Sequence, residues 1–242
     1  MNLAVDVGNT RVKVAVFEND SVVDLVVFDK RKIISEIKKI VKSYSITQGI
    51  IANVASISEK KMAQLKKIVK FHVLSTQSKL AFTNLYKTPN TLGVDRIALV
   101  AAAIKQYPNK NVLIVDAGTC ITFDFVNAKK EYLGGAISPG IKLRYKALNS
   151  FTANLPLIAS LKLENFIGKN TEESIVSGVL NGVVKEIDGV ILGYKEQYLD
   201  LTVVLTGGDT NFLSKQLKSS IFANQNFLLH GLNEILKLNA YK

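Results

Sequence analysis

Apolar and polar positions along this chain repeat with two periods, and the switches between them mark its elements. Leu3-Ala4-Val5 runs unbroken into Asp6, Gly8-Asn9-Thr10 interrupts, and Val12, Val14 and Val16 return at every second position. A period of two around a glycine turn predicts two strands in a hairpin, with a carboxylate fixed at the bend. Val22 to Phe28 reads as a third strand. Ile33, Ile34, Ile37, Ile40 and Val41 then fall at helical spacing with lysines opposite, predicting an amphipathic helix over 31–43. A buried strand over 48–55, a helix with Ser58 as N-cap ending near Val69, and a strand over 71–74 follow. That order of strands and helices is α/β with a mixed sheet.

Residues 76–92 lose the periodicity and read as loop. Gly93-Val94-Asp95-Arg96 comes next, just before a helix predicted over 97–105. Asp95 and Arg96 therefore sit at a helix N-terminus, where backbone N–H groups and the dipole favour an anion. A plain N-cap accounts for Asp95 alone, but not for the adjacent arginine, the preceding glycine and the long loop leading in.

The opening pattern then recurs. Leu113-Ile114-Val115 leads into Asp116, with Gly118 and Thr119 beyond, and both Asp116 and Gly118 stand 110 residues after Asp6 and Gly8. Two apolar strands ending in Asp-x-Gly predict a duplicated domain, divided near Pro108 into halves 1–108 and 109–242. A carboxylate at a strand end, followed by a glycine turn with free N–H groups, suits a metal-bound phosphate. Two such hairpins would oppose each other across a cleft. The second half continues with strands over 111–116, 120–126 and 131–137, the last carrying Gly134-Gly135, and a helix over 141–148. A loop to about 169 precedes a long helix from Thr171 to near Tyr198. A strand over 201–205, the turn Thr206-Gly207-Gly208-Asp209, a helix, a weak strand near Ile221 and a helix over 228–236 complete the chain.

Composition narrows the chemistry. The net charge of +11 invites nucleic acid, yet the lysines come as scattered pairs such as Lys38-Lys39 and Lys66-Lys67, without a long basic run or interleaved aromatics. The pattern argues against nucleic acid and for a positive field that attracts acidic small molecules such as ATP. Cys120 is the single cysteine, so an internal disulfide is excluded and a reducing cytoplasm is expected. The longest apolar run, Ile97 to Ile104, is eight residues, far short of the roughly 20 that span a bilayer. No basic leader precedes Asp6, so a signal peptide is not expected. His72 and His230 lie far apart and read as structural residues. P-loop, dinucleotide-binding and nucleophile-elbow fingerprints are absent.

Six motifs in order carry a resemblance: Asp6 to Lys13, Gly93 to Arg96, Asp116 to Thr119, Gly134 to Gly140, Thr171 to Gly178 and Thr206 to Asp209. Over essentially its whole length the chain resembles the type III pantothenate kinases, members of the acetate and sugar kinase, Hsp70 and actin superfamily. The resemblance implies two duplicated actin-like (ribonuclease H-like) domains with mixed sheets flanking a nucleotide cleft. It implies ATP-dependent phosphorylation of pantothenate to 4′-phosphopantothenate, the first step toward coenzyme A, in the cytoplasm. By position, Asp6, Val7, Gly8, Asn9, Thr10, Arg11, Val12 and Lys13 match the segment that meets the ATP phosphates, with Asp6 near Mg2+. Thr119 matches a second phosphate contact, and Asp116 the ligand of a monovalent cation (K+ or NH4+). Asp95 matches the catalytic base. Gly93, Val94, Asp95 and Arg96 match the pantothenate loop, with Tyr86 and Thr171 as further substrate contacts. Lys13 reads equally as a phosphate contact or a surface lysine, and Arg96 as holding the substrate carboxylate or steadying phosphate. Cys120 departs from the family's familiar alanine and is expected inside a buried strand. The family is dimeric, and the apolar stripe from Ile175 to Leu192 is either a twofold contact or intramolecular core. A non-catalytic transcriptional accessory factor of the same fold is the alternative.

Overall fold

The computed structural model describes residues 1–8, 11–53, 57–162 and 165–240. Strands β1 (Asn2–Val7), β2 (Arg11–Glu18) and β3 (Ser21–Asp29) form the expected meander. Helix α1 (Ile33–Ser43), β4 (Gln48–Asn53), α2 (Glu59–Ile68) and β5 (Phe71–Val73) follow. The end of the strand expected over 48–55 lies outside the described residues. Ser58 caps α2 as predicted, its hydroxyl accepting from the Lys61 N–H. After the short strand β6 (Thr83–Asn84) and a 3-10 turn at Pro89–Thr91 comes α3 (Val94–Gln106). The second half runs β7 (Asn111–Ala117), β8 (Cys120–Val126), β9 (Glu131–Pro139), α4 (Ile141–Ser150) and α5 (Thr171–Gln197). It ends in β10 (Leu201–Thr206), the one-turn α6 (Thr210–Leu213), β11 (Phe222–Ala223) and α7 (Phe227–Asn239).

One sheet is ordered β3-β2-β1-β4-β5, and the other contains the run β9-β8-β7-β10-β11. In each, the first hairpin is antiparallel and the later strands add in parallel. The same topology therefore appears twice, as the repeated Asp-x-Gly pattern anticipated. Residues 118 and 119 join β7 to β8 as a two-residue connection.

The chain divides into two compact units. The first comprises Met1–Asn109, Lys129–Leu133 and Asn226–Lys242, and the second Lys110–Ala128 and Gly134–Gln225. In the first, Leu3, Val5 and Val7 of β1 pack with Val12, Val14 and Val16 of β2 and with Ile33, Ile37 and Ile40 of α1. β1 is central, so its apolar run is continuous where the edge strand β3 alternates. Helix α7, last in sequence, packs in this same unit along α3 and against β1 and β4. In the second unit, the α5 stripe Ile175, Val179, Leu180, Val183, Ile187 and Ile191 is buried against β7, β8 and β10. The stripe left open in the sequence is thus intramolecular core, and among its large apolar side chains Leu192 alone faces out, 58% exposed. Among the described residues no helix is long and apolar enough to cross a membrane.

Candidate active site

In the first unit, β1 carries Asp6 to the end of the central strand, where it stands opposite Lys13 of β2. The Gly8 N–H donates to the Arg11 carbonyl at 3.0 Å and closes the turn. A Cβ on Gly8 would meet that carbonyl at 3.1 Å, so a side chain there crowds the bend. Val7 and Val12 are fully buried, which leaves only their backbone to face a ligand. Arg11 is exposed, Lys13 half-buried, and Asn9 and Thr10 lie outside the described residues. Burial pushes the Asp6 carboxyl up to about 6; Lys13 pulls it down and Asp95 pushes it up further. Desolvation outweighs the lysine, so the ionised carboxylate is short of positive charge, and the site fits a Mg2+ ion.

Asp95 reaches this neighbourhood from the start of α3. The helix begins at Val94, three residues before its first continuous apolar run, with Gly93 as N-cap. Asp95 thus lies in the first turn rather than at the cap. Its Oδ1 accepts from the Arg96 N–H at 2.9 Å, satisfying one of the donors a helix start leaves open. A Cβ on Gly93 would fall 2.3 Å from that same oxygen, so the glycine makes room for the carboxyl to fold back. Arg96 is only 5% exposed, with its guanidinium carbon 5.5 Å from the centre of the Tyr86 ring. Tyr86 stacks on the fully buried Tyr132 at 6.2 Å and 21°, and Phe82 meets Tyr132 edge-on at 6.4 Å. The first unit therefore assembles Asp6, Lys13, Tyr86, Asp95 and Arg96. Tyr132 escaped the sequence reading; its alternation within β9 marks a core position and nothing more.

The second unit builds its turn more tightly. The Gly118 N–H donates to the Cys120 carbonyl at 2.9 Å, leaving Thr119 exposed at the bend. Two further glycines, Gly140 and Gly207, close on Asp116 to Thr119. Gly140 donates to the Thr119 carbonyl at 3.1 Å, and a Cβ on it would lie 2.2 Å from the Gly118 carbonyl oxygen. Gly207 has φ +97°, and its Cβ would lie 2.4 Å from Asp116 Oδ1 and 2.3 Å from the Ala117 carbonyl oxygen. The Asp209 N–H donates to that Ala117 carbonyl at 3.0 Å. Burial pushes the Asp209 carboxyl upward, against the pull of Lys142. The Asp116 carboxylate and the Ala117 carbonyl thus face the same Gly207 turn, and a cation at Asp116 would be held by oxygen donors of this kind. Arg144 secures the approach, donating to the Pro139 carbonyl at 2.8 Å and the Ser138 hydroxyl at 3.0 Å, and pairing with Glu186 of α5.

Thr171 is the exposed first residue of α5, behind the cap Asn170, whose side chain exchanges hydrogen bonds with Glu173. A recess of about 220 Å3 opens there, lined by Ser160, Lys162, Asn165, Asn170, Glu172, Glu173 and Val176, none of them a phosphate-turn residue. Among the described residues no group of three or more His, Cys, Asp or Glu is placed to hold a metal ion. Cations here would rest on single carboxylates together with phosphate and water oxygens, the usual arrangement for Mg2+. Cys120 is exposed at the start of β8, not buried as expected, because the two-residue turn puts it at the lip of the hairpin. His72 is hydrogen-bonded to the Ser78 hydroxyl at 2.8 Å, and His230 meets Phe17 edge-on, contacts that suit structural residues.

Comparison with known proteins fixes the family. A family profile described as type III pantothenate kinase matches residues 2–192. The chain belongs to the type III pantothenate kinase family. The family member from Christiangramia forsetii is 48% identical over 240 residues, covering 99% of each chain. The one from Flavobacterium johnsoniae is 45% identical over 235 residues, covering 97% of this chain and 96% of its own. Solved structures extend the likeness at the level of fold. A glucokinase from an Antarctic psychrotroph aligns with TM-score 0.52 at 13% identity, covering 99% of both chains. A Campylobacter jejuni chain assigned to the Baf family of transcriptional activators aligns with TM-score 0.61 at 22% identity, covering 98% of both. At such identities these two speak for the actin-like fold alone.

Proposed function

We propose that this chain phosphorylates pantothenate with ATP to give 4′-phosphopantothenate, the entry to coenzyme A, with Asp95 as general base. The carrying observation is that Asp6 and Asp95, from a strand end and a helix start far apart in sequence, lie within electrostatic reach of each other in one unit. Full-length similarity to type III pantothenate kinases supplies the substrates. The primary hydroxyl of pantothenate attacks the γ-phosphorus as the bond to the β-phosphate oxygen breaks. Asp95 takes the hydroxyl proton, an effect worth roughly 10²–10⁴-fold for a positioned base. Residues 6–13 and Thr119 receive the phosphates through backbone N–H groups and side chains. Tyr86, Gly93, Val94, Arg96 and Thr171 hold pantothenate. Mg2+ at Asp6 would neutralise phosphate charge, and K+ or NH4+ at Asp116 would do so from the second turn. Two duplicated halves, 1–108 and 109–242, a homodimer and a cytoplasmic location belong to the same reading, supported by the matched hairpins and by the family.

Pantothenate-dependent ADP release, measured with Mg2+ in potassium and in sodium buffer, tests it. Turnover in potassium that drops sharply in sodium is expected, as is loss of at least about 100-fold in kcat for Asp95→Asn. Cation-indifferent turnover would remove the role given to Asp116. Folded protein without turnover in potassium or ammonium would overturn the kinase reading in favour of a non-catalytic relative.

A further inference from the structure

Helix α7 lies beyond the residues that match the family profile, yet it touches both elements that carry the paired carboxylates. We propose that α7 is a brace that positions Asp95 against Asp6, with Gly231 as its critical contact and Asn233 as its anchor. The inference rests on the reading of Asp95 as the base.

The contact with α3 is backbone to backbone. A Cβ on Gly231 would stand 1.7 Å from the Ala98 carbonyl oxygen, 2.6 Å from its carbon and 3.1 Å from the Ala102 nitrogen. Ala98 and Ala102 are fully buried, and their small side chains let the two helices close to this distance. Ala98 follows Asp95 by three residues, about 4.5 Å along a rigid helix, so a displacement at Ala98 is felt at Asp95. The anchor faces the other way. Asn233, 1% exposed, accepts from the Asn2 amide at 2.9 Å and donates to the Asn19 carbonyl at 2.9 Å. Asn2 opens β1, the strand that carries Asp6, and its side-chain Oδ1 accepts from the Gln48 side-chain amide of β4 at 3.1 Å. One helix thus fixes α3 relative to β1.

Shrinking a neighbour cannot relieve a Cβ at Gly231, because the obstacle is main chain. The helices must part by more than 1 Å, and a misplacement of that size costs on the order of 100-fold in rate.

The test is a double-mutant cycle on the full-length enzyme, with kcat and KM for wild type, Gly231→Ala, Asp95→Asn and the double variant. Gly231→Ala is expected to lower kcat by about 10–100-fold with KM for ATP within about twofold, and to add nothing in the Asp95→Asn background. An equal fold-loss in both backgrounds, or wild-type kcat in Gly231→Ala, overturns the brace while leaving Asp95 as base. Wild-type kcat in Asp95→Asn removes the base assignment, and the brace with it. Should Gly231→Ala fail to fold, Asn233→Ala runs the same cycle, with a severalfold loss in kcat that disappears in the Asp95→Asn background. Additive losses there overturn the proposal equally.

Discussion

Asp6 shows what one buried carboxylate costs and why the cost is kept. Burial, above all, pushes its carboxyl up from an ordinary 3.8 to about 6. Between those values the folded chain holds the proton more tightly than the unfolded chain. Stability of the unliganded protein therefore falls as pH rises from about 4 to about 6, by no more than roughly 3 kcal/mol, and stays lower above that. Urea titrations from pH 4.5 to 7.5 should show this slope in the wild type and a flatter one in Asp6→Asn, which should be the more stable protein at pH 7 and inactive. A slope unchanged in the variant would mean that another group carries it. Gly207 is the complementary case, a residue chosen for what it lacks. With φ at +97° and a carbonyl 2.3 Å from any added Cβ, Gly207→Ala should cost about 2 kcal/mol or more in a denaturant melt.

Among the helices, α5 pairs a packed face with a bare one. Gly178, Gly182, Gly189 and Gly193 fall along one side, and no described atom lies within 4 Å of a Cβ built on any of them. Glycine in a helix interior is worse than alanine by about 0.5–1 kcal/mol. Gly182→Ala and Gly189→Ala should therefore each raise stability by that amount, read as a shift of the urea midpoint at unchanged slope. A lowered midpoint would mean that another surface packs on this face. At the start of α3 the glycine acts differently: Gly93 lets the Asp95 carboxyl fold back onto the first turn, so the helix opens earlier than its apolar periodicity suggests.

Taken whole, the chain closes its first unit with its last helix. Phe227, Leu229, Leu232, Ile235 and Leu236 of α7 are all at most 2% exposed. At about 1.5–3 kcal/mol for each buried side chain, their removal approaches the entire stability of a typical domain. A chain ending at Gln225 should therefore lose hydrogen-exchange protection across β1 and α3 while β7, β8 and α5 retain theirs. Equal loss in both units would show them to be a single cooperative block. At this scale too, the +11 charge makes its own prediction. Any retention on DNA should be sequence-independent and lost by about 0.2 M salt, as expected of a diffuse positive field without a reading surface.

The sequence by itself determined what depends on neighbours a few residues away. The alternation of β2, the stripe of α1, the Ser58 cap and the repeated Asp-x-Gly hairpins all follow from side-chain period and backbone preference, and it took the six ordered motifs together to reach the family. Tertiary structure alone decided which distant groups meet. It placed Tyr132 under Tyr86, set Asp95 near enough to Asp6 to shift its titration, and brought Gly207 against Asp116. It also turned the stripe of α5 inward, left Cys120 at a surface lip, and returned α7 to the first unit. The reason is physical: closing a long loop costs nearly the same whichever residues it brings together, so the partners are selected by shape and burial in the assembled core, which no local pattern records.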